Sequence, residues 1–483
     1  MEAFEYKGIW WSPSAPDYQI YGTLKFDPVT GGTLETVGSK LLSSVASQTL
    51  ENEIISNWII TNGTTTLPII CGVASATRVT LYQCVLMGTG AAPGYLTETF
   101  DIGSVFWGSH FEHETDLIFD SVSINYSFLD EWTGIHGFSG GITRSKTTGQ
   151  PTEVELKFTP PDPIKARVQD FELLIRFELR SLDDASTKHN YVQYTYFEIR
   201  PDVPLTYNEY HKRIIYPLRN FLALGLNAAA IPRIVSVLNS RGFLDPTTGE
   251  ELTKGADVYY AAKGAGNVLP EFSRIDTLFS FPMIANDFEG YLTRWFEKFE
   301  SLRPVIELYF GTVYNTMMYT NFEFLALAQA LEVYHREMYG GEYMSSQAYE
   351  PILAALVGSI PEGLSKDHRK SLTDSLAYGY QIGLRKRLND IILVVLDNYS
   401  DTVGKLIGKR KTFVNSVVNT RNYYTHYSKR AKEGAITDPV DLAILVRRMK
   451  LLLQLCFLAE MGFPDSLVKV IVRRNRGFQR WLH

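Results

Sequence analysis

Only three cysteines, Cys71, Cys84 and Cys456, occur in the 483 residues. Odd in number, widely spaced and set among apolar neighbours, they read as buried thiols and leave no material for a disulfide framework or a cysteine-ligated zinc site. No stretch reaches the ~18 nearly uncharged apolar residues that a membrane span requires. Glu2 and Glu5 stand where a secretory leader would carry basic side chains. These absences predict a cytoplasmic chain with no membrane partner. Low-complexity tracts and repeats of fixed period are missing as well. What is present, 45% hydrophobic, 13% aromatic and 21% charged residues, suffices for packed cores. At roughly 100–200 residues per domain, two or three domains are expected.

Charge is segregated along the chain. Residues 361–483 carry 22 Lys and Arg against 11 Asp and Glu; the preceding residues hold the other 25 of 47 cations against 42 of 53 acids. A basic C-terminal part suits a polyanionic partner, which the acidic remainder would repel.

Hydrophobic periodicity divides the chain in the same sense. Up to about Arg200, short alternating runs such as Tyr18 to Phe26 and Arg78 to Leu86 read as strands separated by turn residues, with further strands at Leu117 to Tyr126, Glu153 to Phe158, Phe171 to Leu182 and Tyr191 to Ile199. The glycine-rich run 88–94 reads as a hairpin loop. Their spacing fits an antiparallel sandwich or barrel. Residues 205–285 are mixed: a helix from Asn208 to Leu224 kinked at Pro217, and strands at Arg233 to Leu238 and Val258 to Ala262. Beyond Pro282 to Asp287 the period becomes helical, with helices at Phe288 to Tyr309, Asn321 to Tyr339, Lys370 to Asp397, Val403 to Val418, Thr420 to Lys432, Pro439 to Met461 and Pro464 to Trp481. The expectation is an α+β chain of two domains, a β-rich sandwich or barrel-like domain over 1–285 and an all-α bundle over 286–483.

Chemistry concentrates in the run Arg421-Asn422-Tyr423-Tyr424-Thr425-His426. A guanidinium can clamp a phosphate with two parallel hydrogen bonds, and an imidazole can pass protons at physiological pH. Around it lie Lys405, Lys409, Arg410, Lys411, Lys429, Arg430 and Lys432, with Tyr423, Tyr424 and Tyr427 interleaved. Cations that follow a phosphate backbone and rings that stack on bases are what single-stranded RNA binding needs, so Lys409, Arg410, Tyr427, Lys429 and Arg430 are candidate RNA contacts. At ~100° per residue, Asn422 and His426 share a helix face while Arg421 sits about 140° from His426. Either the long arginine reaches round, or two copies of the helix complete one cleft.

The run resembles the catalytic motif of the HEPN superfamily, in which Arg, a polar residue and a few variable positions precede His. Phe324 to Arg336 looks like the early helix of the ApeA-type branch, and 439–461 like the helix after the motif. Gly8-Ile9-Trp10-Trp11, Gly22-Thr23-Leu24, Val79 to Tyr82 with Cys84, Gly108-Ser109-His110-Phe111 and Leu129 to Gly134 resemble, in that order, the β-rich domain that accompanies this branch. The resemblance spans nearly the whole chain. It implies a bacterial antiphage effector whose C-terminal domain is an endoribonuclease, acting as a homodimer on an RNA such as tRNA or another translation-related RNA, while the N-terminal domain senses a phage trigger. Arg421, Asn422 and His426 take the catalytic roles, without metal or other cofactor. The competing reading is a non-catalytic RNA- or nucleotide-binding HEPN dimerisation module.

Other patterns favour structural roles. His110, Glu112 and His113 could ligate a metal, but strand geometry puts His113 on the opposite face from the other two. Gly404 to Lys409 departs from a phosphate loop: the glycine spacing is one short, and Arg410 stands where Ser or Thr would hold magnesium. Glu332 is expected to hydrogen-bond a neighbouring helix, and His335 to be solvent-facing or satisfied in the core. Burial is expected for most of Trp10, Trp11, Trp107 and Trp132.

Overall fold

A computed structural model describes residues 1–38, 41, 59–61, 64–93, 95–185, 188–244, 251–269 and 271–482. The chain forms two compact units, Met1–Arg274 with Phe279–Thr293, and Ile275–Leu278 with Arg294–His483. The first is a large β-sheet unit and the second is helical, so the class is α+β.

In the first unit a 13-stranded sheet combines a closed ring with an open extension. Antiparallel pairings run from Phe4–Trp11 to Ile20–Asp27, Gly31–Gly38, Tyr95–Trp107, Thr77–Ala92 and Thr64–Ala74, and from there back to Phe4–Trp11. The ring is a small barrel, closed where Gly8 to Trp11 pair with Cys71 to Ala74. Its interior holds Trp10, Leu24, Leu34, Leu67, Leu81 and Phe100, all essentially inaccessible to solvent. Trp10 explains the glycines that mark this region. A Cβ on Gly72 would lie 2.1 Å from the indole and one on Gly22 3.0 Å from it, and the indole N–H donates to the Gly22 carbonyl at 3.2 Å. A bulky ring fits the small barrel because its neighbours have no side chain.

Tyr95–Trp107 also starts the extension. Its last residues, Val105 to Trp107, pair with Glu251–Tyr259, and the sheet continues through Pro232–Leu244, Ser121–Tyr126, Lys188–Pro201 and Phe171–Ala185 to Ile164–Val168. One face packs against the helix Tyr216–Leu226 and the short helix Leu129–Thr133, whose Trp132 indole donates to the Phe279 carbonyl at 3.0 Å. Three expectations change here. Residues 88–92 continue a strand paired with Tyr95 to Thr99 instead of forming a loop, because the partner strand is long enough to use their backbone groups; Gly94 lies outside the described residues. Pro217 falls in the first turn of its helix, where a missing N–H is harmless, and a wide π-turn, Tyr210–Ile215, precedes it. The strand expected to reach Ala262 ends at Tyr259.

In the second unit the helices Thr320–Tyr339, Leu384–Ile407, Arg410–His426 and Pro439–Glu460 pack around Leu327, Leu331, Leu388, Ile391, Val414, Val417, Leu445, Met449 and Leu452, with Phe288–Tyr314 alongside. Boundaries move for identifiable reasons. The single helix expected over 370–397 is two, Lys366–Leu376 and Leu384–Ile407, because Gly379 and Gly383 interrupt it and Gly383 adopts an extended conformation before the second. The break expected at Asn419 is instead at Gly408, with φ 64° and ψ −131°. The C-terminal helix breaks at Asn475, whose side chain binds the Asp276 and Thr277 carbonyls. A helix at Ser346–Gly358 was not expected from the sequence.

Candidate functional site

The basic run lies at the C-terminal end of the helix Arg410–His426, not on a helix reaching Lys432. Tyr427 ends it in the left-handed conformation, with its N–H on the Tyr423 carbonyl at 2.6 Å. The helix is anchored by Phe413, Val414, Val417 and Thr420, all buried, and Thr420 Oγ1 accepts from the Ile436 N–H at 2.9 Å. Its last turn is consequently presented to solvent with its base held rigid.

Asn422 and His426, one turn apart, are both exposed. Arg421 turns toward the helix Thr320–Tyr339, where its guanidinium lies 3.8 Å from a Glu332 carboxylate oxygen and Nη1 donates to Asn422 Oδ1 at 3.5 Å. Both partners of the ion pair are about one-third exposed, 37% and 29%. Glu332 thus contacts a neighbouring helix as expected, but the contact is to the motif arginine. That pairing has no local signal, since 89 residues separate the two positions. The Glu332 backbone is fixed in turn: its carbonyl accepts from buried Arg387 at 3.1 Å.

One turn along, His335 is buried with Nε2 3.1 Å from Asp390 Oδ2, and Asp390 also binds Lys386. Burial lowers the His335 pKa despite that carboxylate. The pair ties two helices together behind Glu332.

Of the aromatic residues, Tyr424 packs toward Phe324 at 6.1 Å, and burial raises the pKa of its hydroxyl. Tyr427 is 60% exposed, its ring 5.4 Å from Tyr423. Lys429 and Arg430 follow at the surface beside the same helix end. Lys409 and Arg410 are at the other end of the helix, about 24 Å from His426 at ~1.5 Å per residue. Lys409 lines a separate cleft of about 390 Å³ with Thr412, Ser416, Asp441 and Arg448. Gly404 to Ile407 are helical and form no phosphate loop.

No group of three or more His, Cys, Asp or Glu arranged for a metal occurs among the described residues. In the β unit, His110 hydrogen-bonds the Gly72 carbonyl through Nε2 at 2.8 Å and sits edge-on to Trp11, and burial lowers its pKa. Trp10 and Trp132 are fully buried, whereas Trp11 and Trp107 are partly exposed. The three cysteines are free and buried, and burial pushes the Cys71 thiol up to about 12.

A β-sheet unit joined to a helical unit that presents Arg, Asn and His on a helix end defines a HEPN protein with an accessory β domain. The chain belongs to the ApeA family: the ApeA N-terminal domain 1 matches residues 5–295, more than half of the chain, and the Apea-like HEPN domain matches residues 325–467. Together these make it an antiphage-defence HEPN protein. No curated protein and no solved structure matches the chain. Among the described residues no helix is long and apolar enough to cross a membrane.

Proposed function

We propose that the helical unit is a metal-independent endoribonuclease, activated on infection to stop host translation and growth, and that residues 1–285 sense the infection and restrain the nuclease. The observation that carries this reading is the solvent-facing last turn of the helix Arg410–His426. It bears a guanidinium and an imidazole, with Asn422 hydrogen-bonded to the first and one turn from the second.

The chemistry these residues supply is internal transesterification. The RNA 2′-oxygen bonds to the adjacent phosphorus, the bond from phosphorus to the 5′-oxygen breaks, and the products end in a 2′,3′-cyclic phosphate and a 5′-hydroxyl. His426 takes the 2′-hydroxyl proton or delivers one to the leaving oxygen. Arg421 stabilises the charge on pentavalent phosphorus, and Asn422 orients the arginine or the phosphate. Because Arg421 and His426 lie on different faces of one helix, the working cleft is formed by two helix ends in a homodimer, the arginine of one chain facing the histidine of its partner. Tyr427, Lys429 and Arg430 flank that cleft as RNA contacts, and Lys409 and Arg410 meet the backbone several nucleotides away.

The test is to incubate the wild-type protein and His426→Ala with total bacterial RNA in EDTA and to map the ends produced. Cyclic-phosphate ends from the wild type, reduced at least ~100-fold in the variant, are the expected result. Cleavage that EDTA abolishes and His426→Ala leaves intact overturns the assignment. RNA retained by both proteins without cleavage, in extracts of infected cells as well, would favour the non-catalytic binding module.

A further inference from the structure

The open part of the large sheet has one apolar face, formed by Leu173, Ile175, Phe197, Ile199, Val122, Ile124, Val235 and Val258, all buried. Its other face is a polar trough. The strand register lines up Glu198, Ser123, Ser236, Asp257 and Trp107 in a single row across five strands. At ~4.8 Å between strands the row is about 19 Å long. In the adjacent row Ser121 and Gly255 are small, and Leu238 between them is exposed. The resulting cavity measures about 510 Å³, within the ~300–1,000 Å³ typical of small-molecule sites.

The ends of the trough differ. At one end Glu198, with 8% of its side chain exposed, is gripped by Arg176 Nε at 2.8 Å and Arg200 Nη2 at 2.6 Å. Arg180 commits its Nε to Glu178 at 2.8 Å. Arg176 and Arg180 both lie over the Tyr196 ring, 5.7 Å from its centre. Their planar forks are thus oriented by carboxylate and aromatic contacts, leaving Nη groups for a second acceptor. The Tyr196 ring lines the trough beneath the two guanidinium groups. At the far end stands the partly exposed indole of Trp107, with the Tyr6 ring 5.0 Å away. Between them Ser123 and the Ser236–Asp257 hydrogen bond, 2.7 Å, offer hydroxyl and carboxylate groups.

We propose that this trough binds a nucleoside phosphate. The phosphate sits on the Arg176 and Arg180 forks. The sugar hydroxyls meet Ser123 and Asp257, and the base stacks on Trp107. Small size separates this ligand from RNA, which the acidic remainder of the unit would repel. Binding here does not depend on the nuclease reading, and the two fail separately.

Isothermal titration of the full chain carrying His426→Ala, with ATP, GTP, CTP, UTP and inorganic tripolyphosphate, tests the proposal. At least one nucleotide is expected to bind with one-to-one stoichiometry, tripolyphosphate at least tenfold more weakly. Arg180→Ala, which removes one fork, and Ser236→Phe, which fills the floor and takes a hydroxyl from Asp257, should each weaken binding at least tenfold, circular dichroism showing the fold retained. Overturning results are no saturable binding by any of the four nucleotides, tripolyphosphate binding as tightly as the best of them, or nucleotide binding that survives both variants. Should one variant fail to fold, the other decides.

Discussion

At the scale of single residues, the contact that changes the reading of the site is Glu332 with Arg421. A pair one-third exposed at this separation contributes about 1 kcal/mol or less to stability. Its consequence lies in aiming the guanidinium, which otherwise samples many rotamers. Glu332→Ala should leave the unfolding midpoint nearly unchanged and lower kcat for RNA cleavage about tenfold with little change in KM. Glu332→Gln, which keeps an acceptor, should recover most of the loss. Steady-state kinetics on a defined RNA separates the two. The sequence displays Arg421, Asn422 and His426 plainly, because they are neighbours on one helix turn. It hides Glu332, because a partner 89 positions away on another helix leaves no local pattern.

At the scale of elements, Gly408 sets where the motif helix begins. Its φ of 64° with ψ of −131° is a conformation open to glycine and costly to other residues, and nothing lies within 4 Å of a Cβ placed there. Gly408→Ala should therefore cost about 1–3 kcal/mol through backbone strain alone, seen as a lower denaturation midpoint with an unchanged m-value. A second element carries a pH dependence. In the π-turn Tyr210–Ile215, burial, aided by nearby Arg219, pushes His211 from its ordinary 6.5 down to about 4. The unfolded chain takes up this proton near pH 6.5 and the folded chain does not, so the stabilisation is complete above pH 6.5 and is lost as pH falls from there to about 4. Discounted for partial solvent access, the loss is about 2 kcal/mol. Urea titrations of the wild type and His211→Phe at pH 7 and pH 4.5 should show that loss in the wild type and a smaller one in the variant. The helical period from Asn208 to Leu224 was legible, whereas the π-turn was not, since a single extra residue per turn leaves the apolar spacing almost unchanged.

At the scale of the molecule, the proposed cleft draws on two chains, because about 140° separates Arg421 from His426 on one helix. If each cleft pairs the arginine of one chain with the histidine of the other, Arg421→Ala and His426→Ala are each inactive alone, and mixing them after dissociation and reassociation restores roughly a quarter of the activity. No restoration, with mixed dimers present in the ultracentrifuge, would mean that each chain supplies its own pair. The charge contrast belongs to the same scale: a helical part richer in cations and an acidic β part share a chain whose net charge is only −6.

The sequence by itself determined the α+β class, the burial of its cysteines and the motif Arg421-Asn422-His426, because each depends on periodicity or spacing within one or two turns of chain. Tertiary structure alone decided the Glu332 contact, the end of the motif helix at His426, the closing of the barrel by Thr64–Ala74 on Phe4–Trp11, and the row from Glu198 to Trp107. Strand register and helix packing unite residues tens to hundreds of positions apart, and the energies that choose them are summed over whole faces rather than written at any one residue.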